Sequence, residues 1–162
     1  MIFVADSSVL IDLERGGLYE VAFGSSLALA VPDLLYDREL AATGGELLKA
    51  LGLQVVSLEP EDVGFAQTTQ RQHPKLSLPD CFALAYARRP EHALLTGDAE
   101  LRAFAEGINI ECHGLLWLLD CLIENGAGTP AAMHTALEKI ARHPRCRLPK
   151  SEIRKRLDAW KN

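Results

Sequence analysis

Short apolar runs alternate with helix-like segments along residues 1–112, and this alternation restricts the fold more than any other feature of the sequence. Five runs have the length and composition of buried strands: IFVA (2–5), LALAV (27–31), LQVVSL (53–58), ALLT (93–96) and INIE (108–111). Strands that alternate with helices are joined by right-handed crossovers into a mainly parallel sheet with helices on both faces. The sequence therefore predicts an α/β fold with three layers, α/β/α, around a mainly parallel five-stranded sheet.

The pattern changes to helices alone after Cys112. Helix-like segments fall before it at 9–14, 34–42, 46–51, 60–73, 79–88 and 99–105, and after it at 113–124, 131–142 and 150–160. We therefore predict an α/β domain at 1–112 and a helical C-terminal extension at 113–162 that packs on it. The sequence shows neither a signal peptide nor an apolar run long enough to span a membrane, so we expect a soluble, cytoplasmic protein.

Acidic residues stand where the predicted strands end. Asp6 follows the first run, and Asp98 follows the fourth run by two residues, so both should project from the carboxyl edge of the sheet, where parallel sheets bind ligands. Asp80 opens the helix of "LSLPDCFALAYA". Glu39 lies about two turns into the helix after the second run, and Asp37 competes with it because spacing alone does not fix the face.

Each acid also has an ordinary structural explanation. Ser77 and Asp80 form a capping-box pattern, Asp98 is a plausible helix cap, and Glu39 suits a solvated surface. At the first helix, Asp6, Ser7 or Ser8 can serve as the cap. We expect Asp6 to face a shared pocket, with Ser7 and Ser8 left to cap the helix.

Several carboxylates in one pocket require a cation. Two of them about 4 Å apart repel by roughly 4 kcal/mol at an effective dielectric constant near 20. Mg²⁺ or Mn²⁺ suits an all-oxygen site that leaves room for a substrate phosphate. Such an ion supports phosphodiester hydrolysis, because it activates water and neutralises charge on the leaving oxygen.

Four segments carry a resemblance to a known family. "VADSSVLIDL", the acid in "VPDLLYDREL", "LSLPDCFALAYA" and "LLTGDAELRAFAE" resemble, in order and spacing, the four acidic motifs of the PIN domain family. That family consists of metal-dependent ribonucleases and includes the VapC-type toxins of toxin–antitoxin pairs. The resemblance covers residues 1–112, and it implies that Asp6, Glu39, Asp80 and Asp98 are catalytic and surround one or two Mg²⁺ or Mn²⁺ ions.

Smaller features of the motifs extend this resemblance. Ser7 matches the small hydroxyl residue after the first acid, and Thr96 matches the one before "GD". Glu100 is an auxiliary candidate ligand, although a favourable charge in the first turn of a helix explains it better. Family members often place the second acid nearer the proline, where this chain has Asp37.

Charge is divided unevenly along the chain. Residues 1–138 carry a net charge of −12, whereas residues 139–162 carry +7. A basic end of this kind contacts nucleic acid or an acidic partner, folds back on the acidic body, or forms a solvated helix face. Arg15, Arg88, Arg102 and the basic end are the candidate phosphate contacts for RNA.

Two functions of different classes follow from these features. The first is a Mg²⁺- or Mn²⁺-dependent endoribonuclease (a hydrolase) that cuts single-stranded RNA, either alone or as a homodimer, and that acts as a toxin with a cognate antitoxin protein. The second is a non-catalytic PIN-like module that binds a protein partner through its helical tail. Phosphatases of the haloacid dehalogenase type are disfavoured, because Ser8 stands where they need a second Asp.

Overall fold

A five-stranded sheet lies at the centre of the protein, which a computed structural model describes over residues 1–161. Its strands β1 to β5 are Ile2–Ala5, Ala28–Pro32, Gln54–Val56, His92–Leu95 and Cys112–His113. They are ordered β3-β2-β1-β4-β5, and every neighbouring pair is parallel. The predicted α/β/α fold is therefore confirmed. Strands β2 and β3 lie on one side of β1, and β4 and β5 lie on the other. The strand order therefore reverses between β1 and β4, and their carboxyl ends flank the point where parallel sheets form clefts.

Ten helices flank the sheet within residues 1–161. Helices α1 to α10 are Ser7–Arg15, Tyr19–Gly24, Asp33–Leu35, Gly45–Leu51, Pro60–Gln72, Leu78–Ala87, Ala99–Gly107, Leu115–Glu124, Pro130–Arg142 and Lys150–Ala159. A π-helical segment, Tyr36–Leu40, continues α3. Right-handed crossovers place α1, α2 and α4 on one face of the sheet and α5, α6 and α7 on the other. The bulk of α6 is buried between α5 and the sheet, which explains why its sequence is apolar almost all round.

The fifth strand lies later in the sequence than predicted, and the helix α2 was not predicted. Ile108 and Asn109 belong to the turn that ends α7, where Asn109 has φ of 62° and the amide of Ile110 donates to the carbonyl of Ala105 at 2.9 Å. The apolar run INIE therefore closes a helix, and the short strand follows it. The six residues of α2 bury only Ala22, so the segment shows little apolar periodicity.

The C-terminal helices pack on the face that carries α1. Five leucines of α8 are buried, namely Leu115, Leu116, Leu118, Leu119 and Leu122. Helix α9 packs against α1 closely enough that a Cβ at Gly16 would lie 2.9 Å from a methyl carbon of Ile140. Trp117 packs on Phe3 with ring centroids 5.4 Å apart, as an aromatic in a core does.

Helix α10 is held by one arginine. The guanidinium of Arg156 donates to both carboxylate oxygens of Asp120 on α8, the shortest contact being 2.8 Å, and it also bonds Glu152. Ile153 is buried, and Trp160 is half-buried. This part of the basic end therefore folds back on the acidic body. No helix among residues 1–161 has the length and hydrophobicity needed to cross a membrane.

Candidate active site

Asp6 lies at the carboxyl end of β1 and has two roles. Its side chain is only 3% exposed. One carboxylate oxygen, Oδ1, accepts hydrogen bonds from the hydroxyl of Ser8 and, at 3.3 Å, from the amide of Val9, while Oδ2 accepts one from the hydroxyl of Thr96. Asp6 is therefore the N-cap of α1 as well as an acid of the cleft. The expectation that Ser7 and Ser8 cap this helix is wrong, because their hydroxyls donate to carboxylates instead.

Two hydroxyls join Asp6 to the loop that carries Asp98. The Thr96 hydroxyl that donates to Asp6 also accepts from the amide of Asp98 at 3.0 Å, and the Ser8 hydroxyl accepts from the amide of Gly97 at 3.0 Å. A Cβ at Gly97 would lie 3.3 Å from the Ser8 oxygen, so a larger residue would press on this bridge. The ends of β1 and β4 are thus fixed relative to each other through neutral donors.

Glu39 is brought to the start of α1. The hydroxyl of Ser7 donates to its Oε1 at 3.1 Å. Its competitor, Asp37, is exposed and makes neither a side-chain hydrogen bond nor an ion pair within residues 1–161. The π-helical segment explains why spacing left the choice open: an inserted residue in a helical turn rotates the following side chains away from their α-helical positions, and such segments are frequent at functional sites.

Asp80 lies in the first turn of α6 and Asp98 immediately precedes α7, and both act as caps, as their ordinary explanation predicts. Asp80 and Ser77 form a complete capping box, with contacts of 3.1 and 3.4 Å. Oδ1 of Asp98 accepts from the amides of Glu100 and Leu101 at 2.8 and 3.1 Å. In the described part of the chain, Oδ1 of Asp80 and Oδ2 of Asp98 accept no hydrogen bond, so one oxygen of each remains for another ligand.

The four acids are electrostatically linked. Burial raises the pKa of Asp6 to about 6, and the charge of Asp80 adds to this rise, although hydrogen bonds from Ser8 and Thr96 oppose it. Partial desolvation, followed by the Asp80 charge, raises the pKa of Glu39. Desolvation and the Asp98 charge raise the pKa of Asp80. Each carboxylate therefore lies close enough to another for their repulsion to matter.

No cation among the described residues relieves this repulsion. Among residues 1–161, Asp6, Glu39, Asp80 and Asp98 form no ion pair with Lys, Arg or His. Carboxylate and hydroxyl oxygens are the ligands that Mg²⁺ and Mn²⁺ prefer, so the donor set fits such an ion chemically. The side chains are held apart by their local donors, however, and within the described residues no three His, Cys, Asp or Glu side chains form a cluster ready to hold a metal ion.

The auxiliary candidates separate into two groups. Ser7 and Thr96 contact acids of the site directly. Glu100 instead pairs with Lys75, whose Nζ lies 3.6 Å from its Oε1. Ser8, which sequence reasoning assigned only to the helix cap, is a further site residue. A small hydroxyl residue two positions after a strand-terminal Asp is the signal that points to it.

The arginines considered as RNA contacts already have carboxylate partners. Arg15 pairs with Asp12, Arg88 with Asp62 and Arg102 with Glu106, at 3.4, 3.0 and 3.0 Å. The side chains of Arg15 and Arg88 are less than a third exposed, at 22% and 32%. Arg15 and Arg88 are the more buried of the three, whereas Arg102 is about half exposed in a surface pair.

Comparison with known proteins supports the resemblance drawn from the motifs. A family model described as a PIN domain matches residues 2–162, which includes the C-terminal helices as well as the acidic motifs. PIN domains are generally nucleases and generally use divalent metal ions. No curated protein matches the chain significantly. With a family match that spans nearly all of its sequence and a five-stranded, all-parallel sheet flanked by helices, the chain belongs to the PIN domain family.

Proposed function

We propose that this PIN domain is a Mg²⁺- or Mn²⁺-dependent endoribonuclease that hydrolyses phosphodiester bonds of single-stranded RNA. One observation carries the proposal: the charge of a neighbouring acid helps to raise the pKa of Asp6, Glu39 and Asp80, and no Lys, Arg or His in residues 1–161 pairs with any of the four acids. A fold that keeps such repulsion loses stability unless a cation enters the cleft. The membership of a nuclease family supports the same reading.

The four carboxylates would hold the ion, and the hydroxyls would hold the carboxylates. A bound ion of this type supplies Lewis-acid activation of water and neutralises negative charge on the leaving oxygen. Ser8 and Thr96 fix the orientation of Asp6 and tie it to the loop of Asp98. Ser7 orients Glu39. Because the acids are not yet gathered into one cluster, ion binding is expected to draw their free oxygens together.

The cellular role forms a second layer of the proposal. We propose a cytoplasmic toxin of a toxin–antitoxin pair, with RNA as its substrate, an antitoxin protein as its inhibitor and a homodimer as a possible assembly. The VapC-like motifs of residues 1–112 support this role. We keep the division into a nuclease domain at 1–112 and a helical extension at 113–162 as part of the same proposal.

A non-catalytic interaction module is the alternative, and one feature favours it. A groove of about 520 Å³ lies between α9 and α10, and its walls include the apolar side chains of Ile153 and Leu157 and the cations Lys150 and Arg154. An amphipathic or acidic segment of a partner protein suits such a surface. Binding there would not require the acids of the cleft.

Cleavage of labelled single-stranded RNA in Mg²⁺ or Mn²⁺ distinguishes the two functions. The nuclease reading predicts metal-dependent cleavage that is lost in Glu39→Gln but kept in Asp37→Asn, a control that removes a neighbouring exposed carboxylate. Both variants should fold, because neither carboxylate is buried or ion-paired in the described structure. Absence of cleavage by the parent protein, or equal cleavage by both variants, would contradict the proposed site.

A further inference from the structure

A small cavity adjoins the acidic cleft and has no role in the site described so far. It has a volume of about 250 Å³ and lies between α7 and the loop that follows α5. Its walls include His73, Pro74, Lys75, Leu76, Glu100 and Phe104. Cavities that bind drug-sized ligands usually measure about 300–1,000 Å³, so this one suits a single planar ring system better than a whole nucleotide.

Both walls of the cavity lead directly to acids of the cleft. On one side, Leu76 immediately precedes Ser77, whose hydroxyl and amide form the capping box with Asp80. On the other side, the amide of Glu100 donates to the carboxylate of Asp98 at 2.8 Å. A polynucleotide whose phosphate lies at Asp80 and Asp98 therefore has this cavity beside it.

The chemistry of the walls combines two aromatic rings with one exposed cation. Phe104 is half-buried, and the exposed ring of His73 meets it edge-on with centroids 4.6 Å apart. The side chains of Lys75 and Glu100 are 81% and 57% exposed and pair at 3.6 Å. A pair this exposed and this long contributes little to stability, so Lys75 is free to leave Glu100 for a phosphate.

We propose that this cavity is a base-binding subsite, which rests on the proposed function: one unpaired nucleobase of single-stranded RNA stacks on the face of Phe104 and meets the ring of His73 at its side, while Lys75 contacts the phosphate that leads into the cleft. Single-stranded RNA offers bases that turn outward and stack on aromatic side chains. Stacking is tolerant of sequence, because every base has a π-face. Lys75 would also shield an incoming phosphate from the carboxylate of Glu100.

Binding in metal-free buffer with EDTA tests the subsite separately from cleavage. The probe is a short fluorescent single-stranded RNA, together with a series in which one position at a time lacks its base. Phe104→Leu keeps apolar bulk but removes the flat ring, and we expect it to weaken binding by about tenfold. Phe23→Leu is the matched control, since Phe23 is a half-buried aromatic that contacts Tyr19 on α2.

The base-free series adds a thermodynamic cycle. Removal of the base at one position should weaken binding to the parent protein as much as Phe104→Leu does, and should cause no further loss in that variant. His73→Ala, at an exposed position, should reproduce the effect in part and guards against a folding defect in Phe104→Leu. Additive losses at every position, or equal binding by the Phe104 and Phe23 variants, would overturn the subsite.

The phosphate contact has its own test. Lys75→Gln should make the decrease of log affinity with log salt concentration less steep, by about one in slope, as loss of a phosphate contact does. Lys49→Gln is the control, because Lys49 is another exposed lysine in a long pair with a glutamate, at 3.7 Å. An equal slope in both variants, or no RNA binding by the parent protein, overturns the subsite. If RNA binding follows the predicted thermodynamic cycle but the protein does not cleave RNA in Mn²⁺, only the nuclease proposal is contradicted.

Discussion

The carboxyl edge of the sheet and the C-terminal helices both place carboxylates against the body of the protein, but they stabilise them by opposite means. At the edge, Asp6 receives hydrogen bonds from two neutral hydroxyls and one amide. On α8, Asp120 receives a two-pronged contact from the guanidinium of Arg156. The second arrangement neutralises charge and fixes a helix. The first orients a carboxylate without neutralising it, which is useful where a cation and a phosphate have to bind.

The largest expected effect is on RNA cleavage, which should depend on the acids of the carboxyl edge and not on the ion pair of the C-terminal helices. Asp6→Asn or Asp98→Asn should reduce metal-dependent RNA cleavage on the order of a thousand-fold, because loss of a ligand charge removes several kcal/mol of transition-state stabilisation. Arg156→Gln should leave cleavage nearly unchanged if the protein is folded. Initial rates at equal folded fraction, checked by circular dichroism, measure both. Cleavage by Asp6→Asn at the parent rate would contradict the catalytic role of the carboxyl edge.

The next effect is on stability and its dependence on pH. The pKa of Asp6 is raised from 3.8 to about 6 in the folded protein, so the folded state binds this proton more tightly than the unfolded state. The resulting stability is fully present below about pH 4 and is lost as pH rises through 6. Asp6→Asn should remove this loss and be more stable than the parent at pH 7.5 by up to about 3 kcal/mol in EDTA.

Urea denaturation at a series of pH values measures this difference. Asp158→Asn, an exposed acid on α10, is the control and should follow the parent protein at every pH. If the free energy of unfolding of Asp6→Asn falls between pH 4 and 6 as steeply as that of the parent, the buried carboxylate of Asp6 is not the cause of the pH-dependent loss of stability.

Metal addition should reverse the instability of the edge. At a Mn²⁺ concentration about 100 times the dissociation constant, the free energy of unfolding should rise by about 2.7 kcal/mol. The rise should be larger at pH 7.5 than at pH 5, because protonated Asp6 does not bind a cation. Thermal unfolding with and without Mn²⁺ measures it, and Asp98→Asn should show a much smaller rise.

The ion pair of the C-terminal helices should have a moderate effect. Arg156→Gln leaves the half-buried Asp120 without its partner and should lower the free energy of unfolding by about 1–2 kcal/mol. Arg154→Gln removes a charge of the same helix at an exposed position and should change stability by less than about 0.5 kcal/mol. Equal stability of the two variants would show that the Asp120 contact does not hold α10.

The smallest effect concerns the guiding role of the basic end. Arg154→Gln combined with Lys155→Gln should weaken single-stranded RNA binding a few-fold and reduce its salt dependence. These exposed cations are a better test than removal of residues 143–162, which would also remove the buried Ile153 and the contact of Arg156. Unchanged binding would assign the C-terminal helices to the fold alone.

The sequence predicted the sheet and the positions of the acids because both depend on local patterns. Apolar runs marked β1 and β4, and Asp6 and Asp98, which follow these runs by one and two residues, had to lie near the same edge. The choice between Asp37 and Glu39 stayed open, because a π-helical segment has no spacing signature of its own. The bond between Thr96 and Asp6 joins residues 90 positions apart, and the location of β5 depended on the turn at Asn109. Tertiary packing decides such features.

The 90-residue separation between Asp6 and Thr96 has a consequence for biosynthesis. Translation proceeds from the amino terminus, so Asp6 leaves the ribosome long before β4 exists to pair with β1. Until then Asp98 has not been made, and Asp6 has no hydroxyl from Thr96 to orient it. The hydrogen-bonded contact between the ends of β1 and β4 therefore forms only after four of the five strands have been synthesised.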